Sequence, residues 1–269
     1  MPRVKTSSTP ADGILAVTLT FSIVEALAKS RVALGVTELS TIVDATKSRI
    51  HRHLVTLVQA GYVAQDPKTE KYCIGPRMLS LAQNIATSVE IVATARPILG
   101  QLRESFSHTA VLAKLEGDQI RILDVALGTS DYAIVQRTGN TLSRDMLHCS
   151  ALGKIALAFG PAELLRSILS RPLASKTPHT LDDPRALKSN LDRVRGHGWA
   201  SAPDEGIIGF NAVAAPIFDA NDGLAAMIGI IGATRILPAR LSPNLTAGVR
   251  RAGAVVSEAL GGAVHRTKS

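Results

Sequence analysis

The chain is 269 residues long, 46% apolar and only 3% aromatic, with a formal net charge of +8. That length predicts one large or two ordinary domains with a core of Ala, Leu, Ile and Val, and so few rings argue against RNA or single-stranded nucleic acid, whose bases need stacking platforms. The basic excess suggests a polyanionic partner, yet nine of the 30 Lys/Arg and six of the 22 Asp/Glu fall in residues 1–75, so charge alone does not mark a nucleic-acid surface.

Residues 1–10 read as a disordered arm in which Arg3 and Lys5 are candidates for phosphate contact. Residues 11–29 predict a first helix, with Leu19, Ile23 and Leu27 at i+4 spacing. Thr37 is a candidate N-cap for a short helix bearing Leu39, Ile42 and Val43. After the turn Asp44-Ala45-Thr46, a second helix opens at Thr46 or Lys47 and ends at Gly61, a residue suited to the left-handed position after a helix. Its apolar face is Ile50, Leu54, Leu57 and Val58, and Lys47, Ser48, Arg49, Arg52, His53 and Thr56 are left on the other. Such a helix fits the major groove of duplex DNA, because Arg binds guanine edges bidentately or grips phosphates and Ser reaches a base or a phosphate. Arg49 and Arg52 lead the candidates for DNA contact, with Lys47, Ser48 and His51 beside them. Residues 62–65 and 71–74 predict strands around the turn Asp66-Pro67-Lys68-Thr69, a hairpin wing that offers Lys68 and Lys71 to the DNA backbone. Residues 11–75 thus read as a winged helix-turn-helix domain.

Residues 76–107 predict two linker helices, the second starting near Val89. From His108 onward strands and helices alternate. Strands are expected over 110–115, 120–126, 132–136, 211–218 and 224–231, and helices over 150–159, 162–169, 184–197 and 243–260. The fold class is α+β, with residues 108–262 forming a mixed sheet with helices and 263–269 a tail.

The segment His148-Cys149-Ser150-Ala151-Leu152-Gly153-Lys154 begins a helix whose unpaired N–H groups and positive dipole end suit a carboxylate, with Ser150 as pocket residue or plain N-cap. Asp204, Glu205, Gly206, Asn211, Ala212 and the inward residues of strand 224–231 would form the opposite wall. Glu205 reads as a pocket residue, as a solvated loop charge or as a partner of Arg137 or Arg235. The dipeptide His148-Cys149 invites a nucleophile or metal reading, but the chain has no CxxC, HxxxH or HExxH pattern, no phosphate-binding GxxxxGK[ST] and no GxGxxG after a strand. No catalysis, metal or cofactor is therefore expected. Two cysteines far apart, an N-terminus without an apolar core and no apolar run long enough for a bilayer lead us to expect a cytoplasmic protein away from the membrane.

Three stretches, in this order, resemble the IclR family of bacterial transcriptional regulators: GVTELSTIVDATKSRIHRHLVTLVQAGYVAQDPKTEKYCIGPRML, LHCSALGKIALAF and RGHGWASAPDEGIIGFNAVAAPIFDANDGLAAMIGIIG. The likeness spans about residues 11–261. It implies an N-terminal winged helix-turn-helix, a linker helix used in dimerisation, and a C-terminal GAF-like mixed α/β domain that binds a small organic effector. It also implies dimers, or dimers of dimers, that read a palindromic double-stranded DNA operator. Within the pocket it implies roles for the backbone N–H groups of Ala151 and Leu152. It places Gly229 and Ile231 where some members carry hydroxyl side chains for a small keto acid. Both are apolar here, which favours a larger aromatic or aliphatic carboxylate, unless the two are plain sheet core. The competing expectation is a winged-helix adaptor that binds protein rather than DNA, and steep salt dependence separates the two.

Overall fold

The computed structural model describes residues 15–129 and 136–262, with only the backbone described at residues 84 and 86. The arm, the tail, helix residues 11–14 and all but Gln136 of the strand expected over 132–136 lie outside the described residues. The chain divides into two compact units, Met1–Thr87 and Ser88–Ser269.

The first unit contains α1 (Leu15–Lys29), α2 (Val36–Ile42), α3 (Lys47–Gln59), and an antiparallel hairpin of β1 (Val63–Gln65) and β2 (Tyr72–Ile74). The N-cap of α2 is Gly35, not Thr37. The correction has a local cause: the Glu38 carboxylate reaches back and accepts the Gly35 N–H at 2.5 Å, so the backbone is satisfied before Thr37 is reached. Helix α3 ends on Gly61 at φ +76°. There Gly61 N–H donates to Val58 O and Tyr62 N–H to Leu57 O, both at 2.9 Å, which satisfies two terminal carbonyls. Ile50, Leu54 and Leu57 are buried with Leu19, Ile23, Leu27, Leu39, Val63 and Tyr72, each large apolar side chain contributing about 1.5–3 kcal/mol. Leu34 and Tyr72 exchange two backbone hydrogen bonds and so add a third short strand to the wing.

A single helix, α4 (Pro76–Phe106), replaces the two expected linker helices. Thr87 and Ser88 are weak helix formers but not breakers. Pro97 lies inside the helix on its exposed side, where water can satisfy the carbonyl that lost its N–H partner. Ile91, Ala95, Leu99 and Leu102 form one buried row in the second half of the helix.

The second unit is built on a six-stranded sheet of order β5-β4-β3-β8-β7-β6. Its strands are β3 (Thr109–Glu116), β4 (Gln119–Ala126), β5 (Thr141–Leu142), β6 (Ala200–Ser201), β7 (Phe210–Phe218) and β8 (Leu224–Ala233). Every pairing among the described residues is antiparallel, so the sheet is not mixed. Side-chain alternation sends Val111, Ala113, Ile120 and Ala214 to one face and Leu112, Val213, Ala215 and Ile228 to the other. Helices α5 (Ala151–Phe159), α6 (Ala162–Leu169) and α7 (Pro184–His197) cover the first face. The second half of α4 and α8 (Pro243–Ala259) cover the second. The edge strands β5 and β6, two residues each, were not anticipated, being too short to show a period. Among the described residues no helix is long and apolar enough to cross a membrane.

Candidate DNA interface and effector cavity

Helix α3 is anchored by its buried row, and this turns Lys47, Ser48, Arg49, His51 and Arg52 outward, all of them exposed. None of these five side chains has a hydrogen-bond or ion-pair partner among the described residues. Other polar groups nearby are engaged. Lys71 pairs with Glu38 at 3.3 Å, and the Gly35 N–H and then this lysine hold the Glu38 carboxyl below its ordinary range. Arg77 stacks on Tyr62 and donates to Ala60 O at 3.1 Å. His53, expected on the polar face, turns toward α1, where Nδ1 lies 2.8 Å from Thr20 Oγ1. Lys68 stays exposed in the wing turn, which the Asp66 carboxylate closes by accepting the Lys68 N–H at 2.8 Å.

In the second unit, a cavity of about 240 Å³ lies between the start of α5, the first face of the sheet and the loop at residues 203–210. Ser150 caps α5, its Oγ accepting the Gly153 N–H at 3.1 Å, and Ser150 O takes the Lys154 N–H at 2.9 Å. The N–H groups of Ala151 and Leu152 have no acceptor among the described residues, and both residues line the cavity. Across the floor, Val111, Gly229 and Ala214 are register partners on three adjacent strands. Ile122, Leu142 and Met146 extend the wall, and Ile207 and Phe210 stand at the rim, both partly open to solvent. Among the described residues no charged side chain lines this space. A largely apolar chamber with unpaired N–H groups at one helix end, and the Gln136 and Asn211 amides as its other polar lining, suits a ligand with an apolar body and one anionic group.

Two family descriptions match the chain: "IclR helix-turn-helix domain" over residues 16–67 and "Bacterial transcriptional regulator IclR C-terminal" over residues 83–258. The regulator BhcR of Paracoccus denitrificans is 34% identical over 86% of this chain and 82% of its own length. KdgR of Dickeya chrysanthemi is 31% identical over 77% of this chain and 67% of its own. The solved structure of the Thermotoga maritima IclR aligns over 93% of this chain and all of that one, at 25% identity and a TM-score of 0.59. The chain belongs to the IclR family of transcriptional regulators. IclR proteins are regulators and not enzymes.

In this IclR protein, nine residues singled out in the sequence line one cavity: Cys149, Ser150, Ala151, Leu152, Gly206, Asn211, Ala212, Gly229 and Ile231. Asp204 and Glu205 do not line it. The Asp204 carboxylate turns back to accept the Gly209 N–H at 2.6 Å. Glu205 partners neither Arg137 nor Arg235: its Oε1 accepts from Lys154 Nζ at 2.5 Å, with both side chains buried. Burial pushes Glu205 up and Lys154 down, and each draws the other back toward the charged form. Gly229 also has a packing reason, since a Cβ there would stand 2.3 Å from Val213 O. Sequence reasoning missed Val111, Ile122, Leu142, Met146, Ile207 and Phe210. Strand alternation marks Val111 and Ile122 as inward but cannot say which inward positions border empty space. The Cys149 thiol is pushed up to about 11 by burial, a poor nucleophile, and the described residues contain no cluster fit to hold a metal.

Proposed function

We propose that this IclR protein is a cytoplasmic repressor or activator that binds a palindromic operator as a dimer or dimer of dimers, released or retained by a small organic acid. The observation that carries the DNA reading is the outer face of α3, where Lys47, Arg49 and Arg52 have no carboxylate partner among the described residues while its back is locked into the core. Unpaired cations on a rigid helix are ready to neutralise phosphates or fork onto guanine edges. Lys68 adds a backbone contact from the wing, and Lys71 can do so only by leaving Glu38. Dimerisation is supported by apolar side chains left in water: Leu15, Val17 and Phe21 on α1, and Leu79, Leu81 and Ile85 on α4. For the effector we favour a monocarboxylate with a compact aromatic or aliphatic body, because among the described residues the cavity offers N–H donors at the start of α5 and walls that are mostly apolar elsewhere.

The test is an operator titration with promoter fragments near the protein's own gene. Arg52→Ala should lose about 1–3 kcal/mol of specific binding if Arg52 reads a base, and binding of the parent should weaken steeply with salt. A parent protein whose partner binding ignores salt would favour the adaptor reading. In thermal-shift measurements 4-hydroxybenzoate should raise the melting temperature more than pyruvate does, and the reverse order would remove the apolar-body assignment.

A further inference from the structure

The two walls of the cavity belong to segments far apart in the chain, and something must hold them in register. One wall is the turn and helix start at residues 145–152, and the other is the loop at residues 203–210. Lys154 stands one turn into α5 and Glu205 in the middle of the loop, and neither lines the cavity. Lys154 Nζ donates to Glu205 Oε1 at 2.5 Å and to Ser201 O at 3.0 Å, with the lysine wholly excluded from water. Thr180 Oγ1 donates to Glu205 O and Thr177 Oγ1 to Asp204 O, each at 2.6 Å. The same 174–180 segment is tied to the first wall by Lys176 on Asp145 and by His148 Nε2 to Ala174 O at 2.9 Å. The walls then meet closely: a Cβ on Gly206 would lie 2.8 Å from Met146 Cε and 3.1 Å from Cys149 O. Beyond this anchored root the loop carries Ile207 and Ile208, more than half exposed.

An apolar pair of the same volume would hold α5 to the loop as well as a buried ion pair does, or better. What the ion pair and hydroxyls add is direction, since charge-assisted bonds fix distance and angle where apolar contact tolerates sliding. We propose that Lys154 and Glu205 are positioning residues of the cavity: their buried ion pair, backed by Thr177 and Thr180, clamps the 203–210 loop onto α5 and sets the separation of the two walls. The proposal rests on the reading of this cavity as the effector site, but its test does not.

Cys149 is buried in the first wall beside Gly206 and serves as the reporter. The full-length protein is studied with exposed Cys73 replaced by Ser, and the rate of Cys149 alkylation by N-ethylmaleimide is followed well below the melting temperature. Glu205→Gln, Lys154→Met and Thr180→Val are each expected to speed alkylation on the order of tenfold by opening the walls locally, while ligand-free operator affinity stays at the parental level. Val249→Ala, a core truncation under the opposite face of the sheet, lowers stability without touching either wall and should leave the rate near that of the parent. Equal acceleration in Val249→Ala would reduce the clamp to ordinary cohesion and overturn the proposal. So would acceleration confined to Glu205→Gln, which also removes a charge that disfavours the thiolate. If Lys154→Met does not fold, the other two variants decide. Separately, 4-hydroxybenzoate and pyruvate that both leave parental alkylation and operator binding unchanged would count against the effector reading, with the clamp judged on the alkylation rates alone.

Discussion

His148 shows how one buried side chain can carry a pH dependence. Its Nε2 donates to Ala174 O, and desolvation holds its pKa below the ordinary 6.5; His108 is lowered for the same reason. A depressed pKa means that the unfolded chain binds the proton more readily than the folded one. The stability from these two neutral imidazoles is therefore fully present above pH 6.5 and drains away as pH falls toward their folded-state values. His148→Gln keeps a donor for Ala174 O and removes the titration. Melting curves from about pH 7.5 down to about pH 5 should fall less steeply for this variant than for the parent. Parallel slopes would clear His148 of any part in the effect. Residue-level expectations held best where a side chain's role was set by its immediate neighbours in sequence, as with Ser150 capping its own helix. Glu205 fared otherwise, because its partner Lys154 is 51 residues away and no local pattern announces it.

At the level of elements, helix α3 was legible from end to end. Its apolar row has helical period, Thr46 precedes it, and Gly61 supplies the left-handed residue that its termination uses. Gly61→Ala would force a Cβ into that conformation at about 1–2 kcal/mol, and the melting transition of the first unit should drop accordingly while that of the second stays fixed. A drop in both would mean that the two units unfold together. Helix α4 shows the opposite case. The sequence predicts two helices with a break before Val89, yet one helix runs through, and the row Ile91, Ala95, Leu99 and Leu102 buries enough apolar surface to keep its second half helical through Pro97. Propensity is a weak prior beside burial of a whole helix face.

On the scale of the whole molecule, the division into Met1–Thr87 and Ser88–Ser269 carries its own prediction. Each unit has a separate hydrophobic core, so calorimetry should resolve two transitions, and a fragment of residues 88–269 should fold alone without binding operator. One transition for the intact protein, or an unfolded fragment, would contradict that independence.

The sequence by itself settled the helices of the first unit and the four long strands of the second, the side of α3 that carries Lys47, Arg49 and Arg52, and which family the chain resembles, because those facts depend on spacing over a few residues. Only the tertiary structure decided that β3, β8 and β7 lie side by side beneath α5, that a cavity opens there, and that Lys154 finds Glu205. Pairing across long stretches of chain is chosen by the total burial of every element at once, and that sum cannot be read from any one of them.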